Sequence, residues 1–150
     1  MNLKSLADIF LDLKPEQRAV AHFALCEQAL QIWNAYIGRQ GRIQYRESVV
    51  GTIQEVDKQL PADAFASAQR GADSFDVANR YQEPISAMQD DDLIFPAQIT
   101  CAYYALYNLF RKYTQGAPVD DWLIVNQAIS SEEDSNKWDA LLRSAIEKAA

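Results

Sequence analysis

Structural punctuation is scarce in this chain. Its 150 residues hold five glycines and five prolines. All but Gly51 and Pro84 fall where one helix would end or the next begin, which leaves no low-complexity stretch and no linker. No apolar run approaches the ~20 residues that span a bilayer, so no membrane partner is expected. Met1-Asn2-Leu3-Lys4-Ser5 lacks a charged segment followed by an apolar stretch and a small-residue cleavage site. No signal peptide is expected, and the default location is cytoplasmic.

Residues that carry chemistry are also few. His22 is the only histidine, and Cys26 and Cys101 are the only cysteines. His22 and Cys26 are spaced i, i+4 and could face one metal ion, but no second Cys or His completes a site. The diiron carboxylate pattern needs Glu-x-x-His on two helices, and it is absent. No Gly-rich phosphate loop, Gly-x-Ser-x-Gly elbow or His-Glu-x-x-His motif occurs. A Cys–His nucleophile pair would put both groups on one apolar face with no third residue to orient them. The expectation is a protein that is not an enzyme and has neither cofactor nor metal. Two cysteines permit one disulfide, but in an intracellular chain two buried thiols are favoured.

Cations are in deficit. Fourteen basic side chains face 21 acidic ones, for a formal charge of −7. Phosphate binding wants a basic face, so nucleic acid is excluded as a partner. An acidic chain is suited to a basic protein.

Helical periodicity is present almost throughout, and the 49% hydrophobic content is enough for a full-sized core. Ser5 and Asp8 have capping-box spacing for a first helix ending near Asp12. Pro15 suits the first residue of a second helix, which runs to about Ile37 with Gly38 as its stop. Its apolar stripe is His22, Leu25, Cys26, Ala29, Ile32, Trp33 and Tyr36. Tyr45, Val49, Ile53, Val56 and Leu60 recur at intervals of three and four, predicting a third helix from Ile43 to Leu60. Gly51 lies off that stripe, either at a close helix crossing or at a tolerant surface position. Arg42 and Arg46 then share the polar face.

A short helix follows from Pro61 to Gly71. The next, capped by Asp73 or Ser74, turns Ala78, Tyr81, Ile85 and Met88 inward, and Pro84 should kink or split it. From Pro96 to about Tyr113 the chain is apolar nearly all round, which marks a buried helix. Its seam is Ile99, Ala102, Tyr103, Leu106, Leu109, Phe110 and Tyr113, and Gly116 closes it. Pro118 opens a helix carrying Val119, Trp122, Leu123, Asn126 and Ile129. Ser131 with Asp134 repeats the capping-box spacing before a final helix that buries Trp138, Leu141, Leu142, Ala145 and Ile146. The fold class expected is all-α: one domain over residues 1–150, a bundle of six to eight helices around the aromatic-rich helix near 96–113.

Three acidic runs stand out: Asp90, Asp91 and Asp92; Asp120 and Asp121; and Glu132, Glu133 and Asp134. Each is placed before a predicted helix, where carboxylates are favourable as caps. The same runs could form a partner-facing acidic surface, with Trp122 as an aromatic anchor beside the second.

Two stretches resemble a known family. Gln17 to Gln28 resembles the "Leu-Cys-Glu-Arg" second-helix signature of the YjaG-like family, small all-helical bacterial proteins of uncharacterised function. Ile94-Phe95-Pro96-Ala97 followed by Cys101 is similar to that family's "Val-Tyr-Pro-Ala-x-Asp-Ala-Cys" helix start. This chain has Gln28 at the family's arginine and Ile99 at its aspartate. The alternation of apolar and alanine-rich helices also resembles helical immunity proteins encoded beside bacterial toxins. The resemblance implies a non-enzymatic bacterial helical domain. Together with small size, acidity and the lack of a catalytic constellation, the expectation is an immunity protein that blocks, by occlusion, a cognate toxin whose own surface is basic. The residues expected to meet it are Asp90, Asp91, Asp92, Asp120, Asp121 and Trp122. The alternative is a homo-oligomeric adaptor, such as a homodimer, without a toxin partner.

Overall fold

The computed structural model describes residues 2–47 and 49–150. Met1, in the N-terminal stretch, and Ser48, in the third predicted helix, lie outside the described residues. The architecture is an all-α bundle. Among the described residues it has seven α-helices, one 3-10 turn and one small hairpin. The helices are α1 (Leu3–Asp12), α2 (Pro15–Gly38), α3 (Leu60–Arg70), α4 (Phe75–Gln89), α5 (Ala97–Gln115), α6 (Asp121–Ser130) and α7 (Trp138–Ala149). No helix among the described residues is long and apolar enough to cross a membrane.

Helix α5 is the central element expected from its sequence. It packs on α2, α3 and α6, while α2 packs in addition on α7. Ile99, Ala102, Tyr103, Leu106, Leu109 and Phe110 are buried, and Tyr113 is half-buried. Tyr81 of α4 places its ring 5.7 Å from that of Tyr103 and 4.8 Å from that of Tyr107. Aromatic pairs at these separations add to the burial of their area. α4 runs unbroken through Pro84, so the split expected there does not occur.

The predicted third helix does not exist. Gln44–Arg46 (β1) and Ile53–Glu55 (β2) form an antiparallel hairpin with Tyr45 opposite Gln54. Five of the eight residues from Val49 to Val56 are β-branched, which disfavours helix and suits a pleated strand. The turn needs Gly51, whose φ is +76°, a left-handed conformation at no steric cost only for glycine. The Glu47 carboxylate accepts from the Val49 and Val50 N–H groups at 2.6 and 2.9 Å. Arg46 donates to the Gly51 carbonyl at 2.6 Å, and Arg42 pairs with Glu55 at 3.2 Å. The two arginines therefore brace the hairpin and do not share a helix face.

Several boundaries also shift. Asn2 caps α1 by accepting from Ser5 N–H, so Ser5 is inside the helix. α6 starts at Asp121, which leaves Pro118 and Val119 in the preceding connection. Ser131 ends α6 and donates to the Ala128 carbonyl at 2.5 Å; Asp134 caps the 3-10 turn Ser135–Lys137. In α7, Leu142 and Ala145 are buried, whereas Trp138, Leu141 and Ile146 are half-buried. Both cysteines are free thiols. Burial pushes the Cys26 thiol well above its ordinary pKa, so it stays protonated.

Candidate functional site at the acidic end of the bundle

The three acidic runs have different structural explanations. Asp120 caps α6, accepting from Trp122 N–H at 3.3 Å, and Asp134 accepts from Asn136 N–H at 3.0 Å. Capping accounts for both. Asp90–Asp92 are not at a helix start. They terminate α4: Asp90 is its C-cap, Asp91 has φ +60°, Asp91 N–H bonds the Met88 carbonyl, and Asp92 N–H bonds the Ala87 carbonyl. This is a Schellman closure with aspartate at the position that favours glycine. Carboxylates at the negative end of a helix dipole are unfavourable, so the local fold gives no reason for three of them. Asp91→Gly is expected to raise stability by about 0.5–1 kcal/mol by relieving both terms. It should read as a higher denaturation midpoint at unchanged m-value.

The loop from Asp90 to Pro96 is firmly held. Leu93 and Phe95 are buried and Ile94, between them, is 74% exposed. The Phe95 ring lies 5.3 Å from that of Trp33 and 6.4 Å from that of Tyr36. Two apolar anchors thus pin a loop that displays Ile94 and three exposed carboxylates with no side-chain partner among the described residues.

The second predicted run is elsewhere and is already engaged. Asp90–Asp92 precede α5 and Asp120–Asp121 follow it; 19 residues of helix separate them, about 28 Å at 1.5 Å per residue. Asp121 lies 2.7 Å from Arg18 and 2.7 Å from Lys112. Burial opposes its ionisation, yet Lys112 and Arg18 hold its carboxyl below the usual range. Its backbone carbonyl accepts from His22 Nε2–H at 2.8 Å, and His22 Nδ1 is 2.7 Å from the Tyr113 hydroxyl. A carbonyl can only accept, so Nε2 carries the proton and Nδ1 accepts from Tyr113. Burial lowers the His22 pKa, which keeps the ring neutral. Trp122 is half-buried, with its ring 6.3 Å from that of Phe10. Asp121, Trp122 and His22 therefore join α1, α2, α5 and α6, and only Asp120 of this group remains at the surface.

The acidic end has a feature that sequence reasoning missed. A cavity of about 210 Å³ lies between the last turns of α2, the first turn of α5 and the α6–α7 connection. Tyr36, Arg39, Gln98, Ile99, Glu132 and Glu133 are among its lining residues. The Glu132–Glu133 pair was visible as charge, but the cavity needs three segments remote in sequence. Ile94 did leave a signal: the inward–outward–inward order Leu93-Ile94-Phe95 has period two inside a helical sequence. Further exposed apolar groups crown the hairpin, where Val49 and Val50 are 86% and 75% exposed. Among the described residues, no group of three or more His, Cys, Asp or Glu could hold a metal ion.

Comparison with protein-family models, curated proteins and solved structures finds no match for this chain.

Proposed function

We propose that the chain is a non-enzymatic protein-binding domain that neutralises a bacterial toxin by occlusion, docking its acidic end on a basic toxin surface. The observation that carries this reading is the Asp90–Ile94 loop. Its carboxylates are exposed, have no side-chain partner among the described residues and oppose the α4 dipole. A net charge of −7 supports steering toward a basic partner, and Ile94 supplies an apolar contact beside the charge. The alternation of apolar and alanine-rich helices, which resembles that of helical immunity proteins, is what suggests the toxin-immunity context. Asp120 and Asp121 lie outside this docking surface in the proposal, because they flank the opposite end of α5.

The test is whether a toxin gene neighbours this one and, with that toxin purified, its association with this chain at several salt concentrations; an isolated gene would count against the reading. The combined variant Asp90→Lys, Asp91→Asn, Asp92→Lys keeps a residue tolerant of the left-handed conformation at position 91. Its association rate is expected to fall at least tenfold at low salt, with a flatter salt dependence. An unchanged rate would end the acidic-loop reading.

The exposed valines of the hairpin favour a second reading, a homo-oligomeric adaptor. A light-scattering mass of two chains that reverts to one in Val49→Ser/Val50→Ser would establish it.

A further inference from the structure

We propose that the cavity at the acidic end receives a single arginine side chain of the protein partner. This rests on the protein-binding reading and names the chemistry of its anchor. The cavity, at about 210 Å³, is smaller than the ~300–1,000 Å³ pockets that take drug-sized ligands. One long side chain suits it. Ile32, Ala35 and Ile99 contribute apolar lining for a methylene stem. The Tyr36 ring lines the cavity, roughly perpendicular to the Phe95 ring at 6.4 Å, and an aromatic ring in this position is a surface on which a guanidinium can stack.

The polar lining favours a cation. Glu133 has no side-chain partner among the described residues, and Glu132 uses one carboxylate oxygen to accept from Asp134 N–H at 3.1 Å. Charge-assisted bonds from a guanidinium can use the remaining oxygens. The backbone adds to this. α2 and α6 both end at the cavity and α5 begins there, so two negative helix ends outweigh one positive end. Arginine fits better than lysine because its planar fork both stacks and donates in pairs.

Arg39 is the one cation among the lining residues, and its position gives the proposal a sign. An incoming guanidinium is opposed by Arg39, so removing that charge should tighten binding. A zwitterionic ligand would need Arg39, and removing it should weaken binding.

The test uses the full chain and the probe Nα-acetyl-L-arginine amide, followed by amide chemical shifts. Saturable shifts are expected at Tyr36, Gln98, Ile99 and Glu132, with a dissociation constant of about 1–10 mM for so small a ligand. Nα-acetyl-norleucine amide should leave these signals in place. Glu132→Gln with Glu133→Gln, which preserves an acceptor for Asp134 N–H, should weaken binding about fivefold, and Arg39→Gln should tighten it about twofold. The assignment is overturned by the absence of saturable shifts, by an undiminished response in the double glutamine variant, or by weakened binding in Arg39→Gln. Toxin association is measured separately, so such a failure leaves the acidic-loop reading intact.

Discussion

Trp33→Ala is expected to destabilise the fold by about 4 kcal/mol, the middle of the range for truncating a buried tryptophan. Trp33 is fully buried. Its ring stands edge-on to Phe95 at 5.3 Å and to Tyr103 at 5.2 Å, and its Nε1–H donates to the Lys58 carbonyl at 3.0 Å. One side chain therefore links α2, the loop before α5, α5 itself and the connection into α3. Truncation would leave a cavity too large to collapse and a part-buried carbonyl without its donor. For a chain of this length the loss amounts to a fall in melting temperature of roughly 12 °C. Trp33→Phe should cost about 2 kcal/mol, since it keeps most of the ring contacts and loses the hydrogen bond. Because Phe95 anchors the acidic loop on Trp33, the alanine variant should also weaken the toxin association proposed above, even at temperatures where it remains folded. Thermal unfolding and association kinetics on the same samples check both parts. A Trp33→Ala protein within 1 kcal/mol of the parent would contradict this view of the core.

His22→Leu is expected to cost about 2–3 kcal/mol at neutral pH, because the part-buried Tyr113 hydroxyl and Asp121 carbonyl lose their partners together. It should also change how stability depends on pH. Burial holds the folded pKa of His22 below its ordinary value of 6.5, so in the window just below 6.5 the unfolded chain binds the extra proton and the folded chain does not. Stability then rises with pH across that window. The contribution of neutral His22 is complete above about pH 6.5 and is lost as pH falls toward and through the lowered folded value. Asp121 acts in a separate, more acidic window, since its folded pKa lies below 3.8. Its contribution is full above that value and disappears as pH falls further. Unfolding free energies measured between about pH 7 and pH 4.5 should slope for the parent and flatten for His22→Leu. An identical slope in the two proteins would show that His22 is not the titrating group.

Much of the helical framework was legible because helices write a periodic pattern into the chain. The seam of α5, Pro15 at the start of α2 and Gly71 and Gly116 at helix ends all follow from local rules. Gly71 and Gly116 take left-handed conformations as C-caps. The hairpin was misread because Tyr45, Val49, Ile53, Val56 and Leu60 match a helical stripe by spacing alone. β-branched density and Gly51 outweigh that spacing, and the hairpin buries only one strand side chain, Tyr45. A two-stranded unit with one buried face position leaves almost no alternation to detect.

The acidic runs divide in the same way. Asp120 and Asp134 cap the segments that follow them, as carboxylates before a helix commonly do. Asp90–Asp92 look alike in sequence but belong to the end of α4, because Leu93 and Phe95 insert into the core and the four residues Leu93–Pro96 intervene before α5 begins. That distinction separates a capping charge from an unexplained one.

Composition and periodicity by themselves determined that this chain is all-α, acidic and built around residues 96–113, since burial of an apolar helix depends on which residues recur every turn. Only the tertiary structure decided where charge and concavity meet. It sent Asp121 and Trp122 into packing around His22, left Asp90–Asp92 exposed, and brought Tyr36, Gln98 and Glu133 around one cavity. The physical reason is range. Helix formation is governed by neighbours three and four residues apart, whereas the acidic end is assembled from segments up to about a hundred residues apart, and no local pattern records their meeting.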